Sequence, residues 1–259
     1  MRIASIQLAI SDEESKEARV ERAMNLVAGC TGADLVLLPE IWNTGYFSFD
    51  RYRDEAEPLD GPTVSAVAAQ ARELGAWVHA GSFVERTAEG TYTNTSVLLD
   101  REGRPVVTYR KMHLFGFQSD EAKVLTPGTA VVTASTEFGR IGLATCYDLR
   151  FPELFRRMVD QGAEIFLVCS AWPYPRLEHW TILNRVRALE NQAFLISSNC
   201  AGTTRGEQFC GHSLVVDPWG TPVAAAGDEE TVVWADIDPG MARQVREIFP
   251  PLRDRVLEV

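Results

Sequence analysis

Three side chains able to act together in one reaction fall at the ends of apolar runs: Glu40 after DLVLLP, Lys111 after VVTYR and Cys146 after GLAT. A thiol attacks only as its thiolate, so it needs a base or a depressed pKa. Glu40 is the candidate base. The Lys111 ammonium is the candidate to stabilise the thiolate and then an oxyanion. The stretch GLATCYDLRFPEL (142–154) runs from a strand pattern into a helix start. Cys146 therefore falls where the macrodipole and free backbone N–H groups favour negative charge, and the N–H of Tyr147 is a second oxyanion donor. This trio suits acyl transfer from an amide or a nitrile and calls for no metal and no cofactor. Taken singly, each residue has a plainer reading: a solvated loop acid, a surface cation beside Arg110, a small buried hydrophobe. Ligands of α/β sheets bind beyond the carboxyl ends of strands, and coincidence at three strand ends points to one crevice.

The elements that must position these groups alternate. RIASIQLA (2–9) and DLVLLP (34–39) read as strands, the second buried on both faces. Between them Val20, Met24, Val27 and Ala28 make a helical stripe. Val64, Val67, Ala68, Ala71 and Leu74 make another, opened by DGPT. AWVHAGSF (76–83) follows as a strand, and 95–111 as a hairpin turning at Asp100 to Gly103. The second half alternates in the same way, with a strand over 140–146 and a helix over 151–161 that turns Leu154, Phe155, Met158 and Val159 inward. A strand over 164–170, a helix over 177–191 and a strand over 193–199 follow. A hairpin over 212–226 turns at DPWG, strand 231–237 closes the order, and a tail over 240–259 begins as a short helix that Pro250-Pro251 stops. This alternation predicts a layered α/β fold with mixed sheets and one domain over 1–259, the tail having few ways to pack on its own body.

Length and composition are those of an ordinary globular domain: 259 residues, 46% hydrophobic and 24% charged. The net charge of −11 argues against nucleic acid and an anionic membrane surface. No signal-peptide pattern or membrane-length apolar run appears, and the five scattered cysteines read as free thiols in a reducing, cytoplasmic compartment. Cys200, Cys210 and His212 lack the spacing and the fourth ligand of a structural zinc site. No G-x-S-x-G elbow or nucleotide-binding loop is present. His113 beside the lysine is expected to orient or to pack.

Together the motifs resemble the nitrilase, or carbon–nitrogen hydrolase, superfamily along essentially the whole chain. LLPEIWNTGY (37–46) resembles its glutamate motif, YRKMHLFG (109–116) its lysine motif and CYDLRFPEL (146–154) its cysteine motif, in the family's order. EAKVLTPG (121–128) resembles the segment of its second glutamate, and GHSLVVDPWG (211–220) its distal hairpin. The resemblance implies a four-layer α-β-β-α sandwich that dimerises through helices, with 240–259 as an arm at the dimer interface. It implies Glu40 as general base, Lys111 as oxyanion stabiliser, Cys146 as nucleophile and Glu121 as a positioning residue beside the lysine. CYDLRFPEL, AWPYPRLEHW and RALENQAF look most like the ω-amidase branch, which opens the side-chain amide of 2-oxo acids such as 2-oxoglutaramate. A substrate carboxylate would then meet Arg150 or Arg176, with Trp172 walling the pocket. The open alternatives are an ion pair of Arg150 with Asp148 or Glu153, and plain packing for Trp172. Other branches use the same trio on carbamoyl amines, deaminated peptides or nitriles, and an inert dimeric interaction module is the alternative outside enzymes.

Overall fold

The first strand, Arg2–Ser11, is buried from Ile3 to Leu8, as a strand covered on both faces must be. The structure, a computed structural model, describes residues 1–257. Its first half runs β1 (Arg2–Ser11), α1 (Lys16–Ala28), β2 (Leu35–Leu37), α2 (Tyr52–Glu55), α3 (Pro62–Leu74), β3 (Trp77–Arg86), β4 (Tyr92–Leu99), β5 (Pro105–Arg110) and α4 (Glu121–Val124). The second runs β6 (Thr133–Thr136), β7 (Gly139–Thr145), α5 (Pro152–Asp160), β8 (Ile165–Ser170), α6 (Leu177–Asn191) and β9 (Phe194–Thr204). It continues through β10 (Glu207–Gln208), β11 (Leu214–Val216), β12 (Pro222–Ala225), β13 (Thr231–Asp236) and α7 (Met241–Ile248).

The strands follow the order β5-β4-β3-β2-β1-β9-β8-β7-β6, with parallel pairs at the centre and hairpins at the edges. β1 is the seam. Its start pairs with β2 and β13, and its last residues, Leu8–Ser11, pair with Cys200–Thr203 of β9. The halves so joined face each other. One apolar cluster joins Leu37 and Leu98 of the first half to Leu167 and Ile196 of the second. A separate cluster packs Val27 of α1 and Val67 of α3 against Ile6 and Val36. With α1 and α3 outside one half and α5 and α6 outside the other, the architecture is the expected α-β-β-α sandwich.

Several elements follow directly from local chemistry. Ser15 caps α1 by accepting from the N–H of Ala18. Pro62 opens α3 and Gly75, with φ of 60°, ends it. In α5, Leu154, Phe155, Met158 and Val159 are all buried, as their spacing predicts. Each such side chain contributes about 1.5–3 kcal/mol of burial.

Three expectations are corrected. The inward face of α1 is Ala23 and Val27 with a buried Arg19; Ala28 is exposed and Val20 and Met24 are half-buried. Arg19 lies inside because its guanidinium meets the carbonyls of Ser11, Glu14 and Asn43. β9 extends to Thr204 because β1 and β10 pair its second half. The tail is not free of the body: Arg246 donates to the carbonyls of Ala163 and Asn191, and Arg243 pairs with Glu164 at 2.8 Å. The last two residues of the proposed arm lie outside the described residues.

Candidate active site

Glu40, Lys111, Glu121 and Cys146 converge where the two halves meet, each from the end of a strand or the loop beyond it. Glu40 and Lys111 follow β2 and β5 as read from the sequence; Glu121 opens α4, and Cys146 opens a five-residue 3-10 turn, Cys146–Arg150, after β7. Ile41 (φ 40°) and Cys146 (φ 48°) both adopt the left-handed conformation. A non-glycine residue there stores strain of about 1–3 kcal/mol, which the surrounding structure must hold in place.

The Lys111 ammonium donates to Glu40 Oε1 at 2.8 Å and to Glu121 Oε1 and Oε2 at 2.9 and 3.0 Å. All three side chains are fully buried. Burial alone would strip the proton from Lys111, but the facing Glu121 and Glu40 carboxylates outweigh it and hold its pKa well above the ordinary lysine value. The cluster holds two carboxylates against one cation. Burial, reinforced by Glu121, raises the Glu40 pKa despite Lys111.

Burial and then the Glu40 charge push the Cys146 pKa well above its usual value, and the opposing pull of Lys111 is smaller. The expectation of a resting thiolate at a helix start is therefore corrected: a short 3-10 turn has little macrodipole, and an adjacent acid favours the protonated sulfur. The Glu40 carboxyl lies beside this thiol and hydrogen-bonds with it.

Sequence reasoning missed the groups that hold the carboxylates. Asn94 of β4 donates to Glu40 Oε1 at 2.8 Å and to Glu121 Oε1 at 2.9 Å. The N–H of Ala171 donates to Glu40 Oε2 at 2.9 Å, and the Tyr46 hydroxyl to Glu121 Oε2 at 3.0 Å. The available signal for Asn94 was an amide on the inward face of an otherwise threonine- and leucine-rich strand, TNTSVLL.

Above the thiol opens a small pocket lined by Cys146 together with Tyr46, Phe115, Tyr147 and Trp172. Arg150 and Arg176 line it as well, so all three residues named for substrate contact meet here. Neither arginine pairs with a carboxylate among the described residues. The proposed partner Asp148 is occupied by Thr145, Tyr109 and His113, and the Glu153 alternative also fails. Arg150 instead lies over the Trp172 ring at 4.8 Å and donates to His179 Nδ1 at 3.2 Å. Arg176 lies over Phe115 at 5.6 Å. Trp172 is both core and wall, 2% exposed and bonded through its indole N–H to the Arg176 carbonyl. His113 stacks on Phe151 at 3.7 Å, the orienting or packing role read from its neighbours. Cys200 and Cys210 are free thiols with separate partners: the Cys200 thiol faces the Glu40 carbonyl, and Cys210 accepts from Asn199.

The sandwich and this buried acid–lysine–thiol arrangement define a layered α/β protein with the site of a cysteine hydrolase. Residues 2–247 match the family model described as carbon-nitrogen hydrolase, and the chain belongs to that family. It is 38% identical to the 2-oxoglutaramate amidase of Paenarthrobacter nicotinovorans over 99% of this chain and 90% of that one. It is 33% identical to the human omega-amidase NIT2, covering 98% and 94%. The crystal structure of Saccharomyces cerevisiae Nit3, from branch 10 of the nitrilase superfamily, superposes with a TM-score of 0.91 at 30% identity, covering 99% of this chain and 97% of that one. No helix among the described residues is long and apolar enough to cross a membrane.

Proposed function

We propose that this chain is an amidohydrolase of ω-amidase type, converting the ω-amide of a small 2-oxo acid into the 2-oxo diacid and ammonia through an acyl-enzyme on Cys146. Glu40 takes the proton from Sγ as sulfur attacks the amide carbon. The carbonyl oxygen becomes an oxyanion facing the Lys111 ammonium and the backbone N–H of Tyr147. Collapse of the adduct breaks the C–N bond, and Glu40 returns its proton to the departing nitrogen, releasing ammonia and leaving a thioester. Glu40 then takes a proton from water as it attacks the thioester; the second adduct expels the Cys146 sulfur, which regains its proton, and releases the acid. Glu121 keeps Lys111 in place and charged.

One observation carries the reading: the Lys111 ammonium bridges Glu40 and Glu121, fully buried, beside the only thiol that lines the described pocket. The substrate class is supported by two arginines without carboxylate partners among the described residues lining the pocket over Cys146, and by the amidase names of the relatives. Retention of all four catalytic candidates speaks against an inert module.

The same reading covers the whole chain as one domain in a reducing, cytoplasmic setting, which five buried free thiols support. It also takes the protein as a homodimer, with the tail at the interface. Ile248 and Phe249 of the tail and Ile182 and Leu189 of α6 are exposed, an apolar surface that a second copy would cover. Ammonia release across 2-oxo acid amides, carbamoyl amines, deaminated peptides and nitriles tests the substrate assignment. The 2-oxo acid amide should show the highest kcat/KM; a neutral amide or a nitrile in that place would overturn it.

A further inference from the structure

Asp148 is a fully buried carboxylate, and its role is not absorbed by the chemistry above. Among the described residues no lysine or arginine pairs with it. Its charge is met by four donors from three parts of the chain. The Tyr109 hydroxyl, at the end of β5, donates to Oδ2 at 2.7 Å. The His113 backbone N–H and ring Nδ1 donate to Oδ1 at 3.1 and 2.7 Å. The Thr145 N–H, at the end of β7, donates to Oδ2 at 2.9 Å and closes a capping box over the turn.

The order of these donors along the chain matters. Lys111 lies between Tyr109 and His113, and Cys146 lies between Thr145 and Asp148 itself. Each of the two reacting groups is therefore bracketed by residues that end on one carboxylate. The lysine bracket is tightened further: the Tyr109 oxygen accepts from the Met112 N–H at 3.2 Å, and the His113 ring stacks on Phe151 just past the turn. A simple helix cap would need only the Thr145 bond. Reaching Tyr109 and His113 as well ties the lysine segment to the cysteine turn.

We infer that Asp148 is a positioning residue that fixes the Lys111 ammonium relative to the Cys146 sulfur, acting through Tyr109 and His113 on one side and Thr145 on the other. The inference rests on the proposed roles of Cys146 and Lys111. Loss of these bonds leaves both groups present but lets their separation drift, and a displacement of an ångström at a reacting centre costs rate far more than substrate affinity. Buried acceptors that lose one of several donors also leave the fold largely intact when the replacement is isosteric.

The test uses Tyr109→Phe, His113→Ala and His113→Asn in the full chain, each measured for kcat and KM in ammonia release. A second readout is the rate at which iodoacetamide alkylates Cys146 as pH is raised. The inference predicts that Tyr109→Phe and His113→Ala lower kcat by about 10- to 100-fold with KM within about twofold. It also predicts slower alkylation at a given pH, because Lys111 no longer favours the thiolate against Glu40. His113→Asn, whose amide N–H can replace Nδ1, should recover most of the rate. Tyr109→Phe is close to isosteric and carries the test should His113→Ala fail to fold. Unchanged kcat and an unchanged alkylation profile in Tyr109→Phe would overturn the inference while leaving the proposed function standing. A Cys146→Ala chain that still released ammonia would overturn that function, and this inference with it.

Discussion

Glu40 and Lys111 come from loops 71 residues apart and meet in a 2.8 Å hydrogen bond with no solvent access to either side chain. A buried pair of this kind is weak evidence for stability, because desolvation consumes much of the attraction. It makes sense as chemistry: the lysine keeps the acid ionisable, and the acid keeps the lysine charged.

Glu40→Gln removes the proposed base while retaining an oxygen to accept from Lys111 or Asn94. Expected is a loss in kcat of at least about 10²-fold, with the folded state preserved in circular dichroism. Substrate turnover within about tenfold of the parent would reject Glu40 as the base.

The pH profile follows from three directions. The proposed base Glu40 would act as its carboxylate, and burial raises its pKa above the ordinary 4.5, so kcat/KM should rise with pH through a midpoint above that value. Lys111 is held above 10.5, so its charge, and the stability it contributes, are fully present below that pH and are lost only as pH climbs past its raised value. Cys146 is held above 9.0 and stays a thiol at neutrality. An acidic midpoint at or below 4.5 that survives Glu40→Gln would contradict the assignment.

How much of this was legible in the sequence depends on what each residue had to meet. Glu40, Lys111 and Cys146 stood at strand ends, and their order along the chain carried the family pattern. The inward face of α5 was readable because apolar spacing sets it locally. Asn94 was not, because its partners Glu40 and Glu121 lie on other segments. Arg19 was not, because a cation inside α1 is explained only by the carbonyls that receive it. The thiol's ionisation was misread for the same reason: a local helix start suggested a thiolate, while burial in the assembled site, and then the Glu40 charge, favour the proton.

Arg150→Met should raise KM for a 2-oxo acid amide by about 10-fold or more, since a charge-assisted contact is worth about 1.5–3 kcal/mol. A neutral amide of the same length should lose little. Equal effects on both, measured by steady-state ammonia release, would remove Arg150 from the carboxylate site.

Gly81, with φ of 65°, lets β3 approach the Glu40 segment; an added Cβ would lie 2.1 Å from the Pro39 carbonyl oxygen. That carbonyl accepts from the Ser82 N–H at 3.0 Å, and the Ser82 hydroxyl accepts from the Ile41 N–H at 3.0 Å. Gly81→Ala is therefore expected to destabilise the fold by about 2 kcal/mol or more in urea denaturation. A change within about 0.5 kcal/mol would mean that the segment has room to shift.

Whether Cys146 carries the reaction is decided by ammonia release from a 2-oxo acid ω-amide, with Cys146→Ala set beside the parent under identical conditions. The parent should release ammonia, and the variant none above the uncatalysed background. Turnover by Cys146→Ala at the parent's rate would contradict an acyl-enzyme on that sulfur.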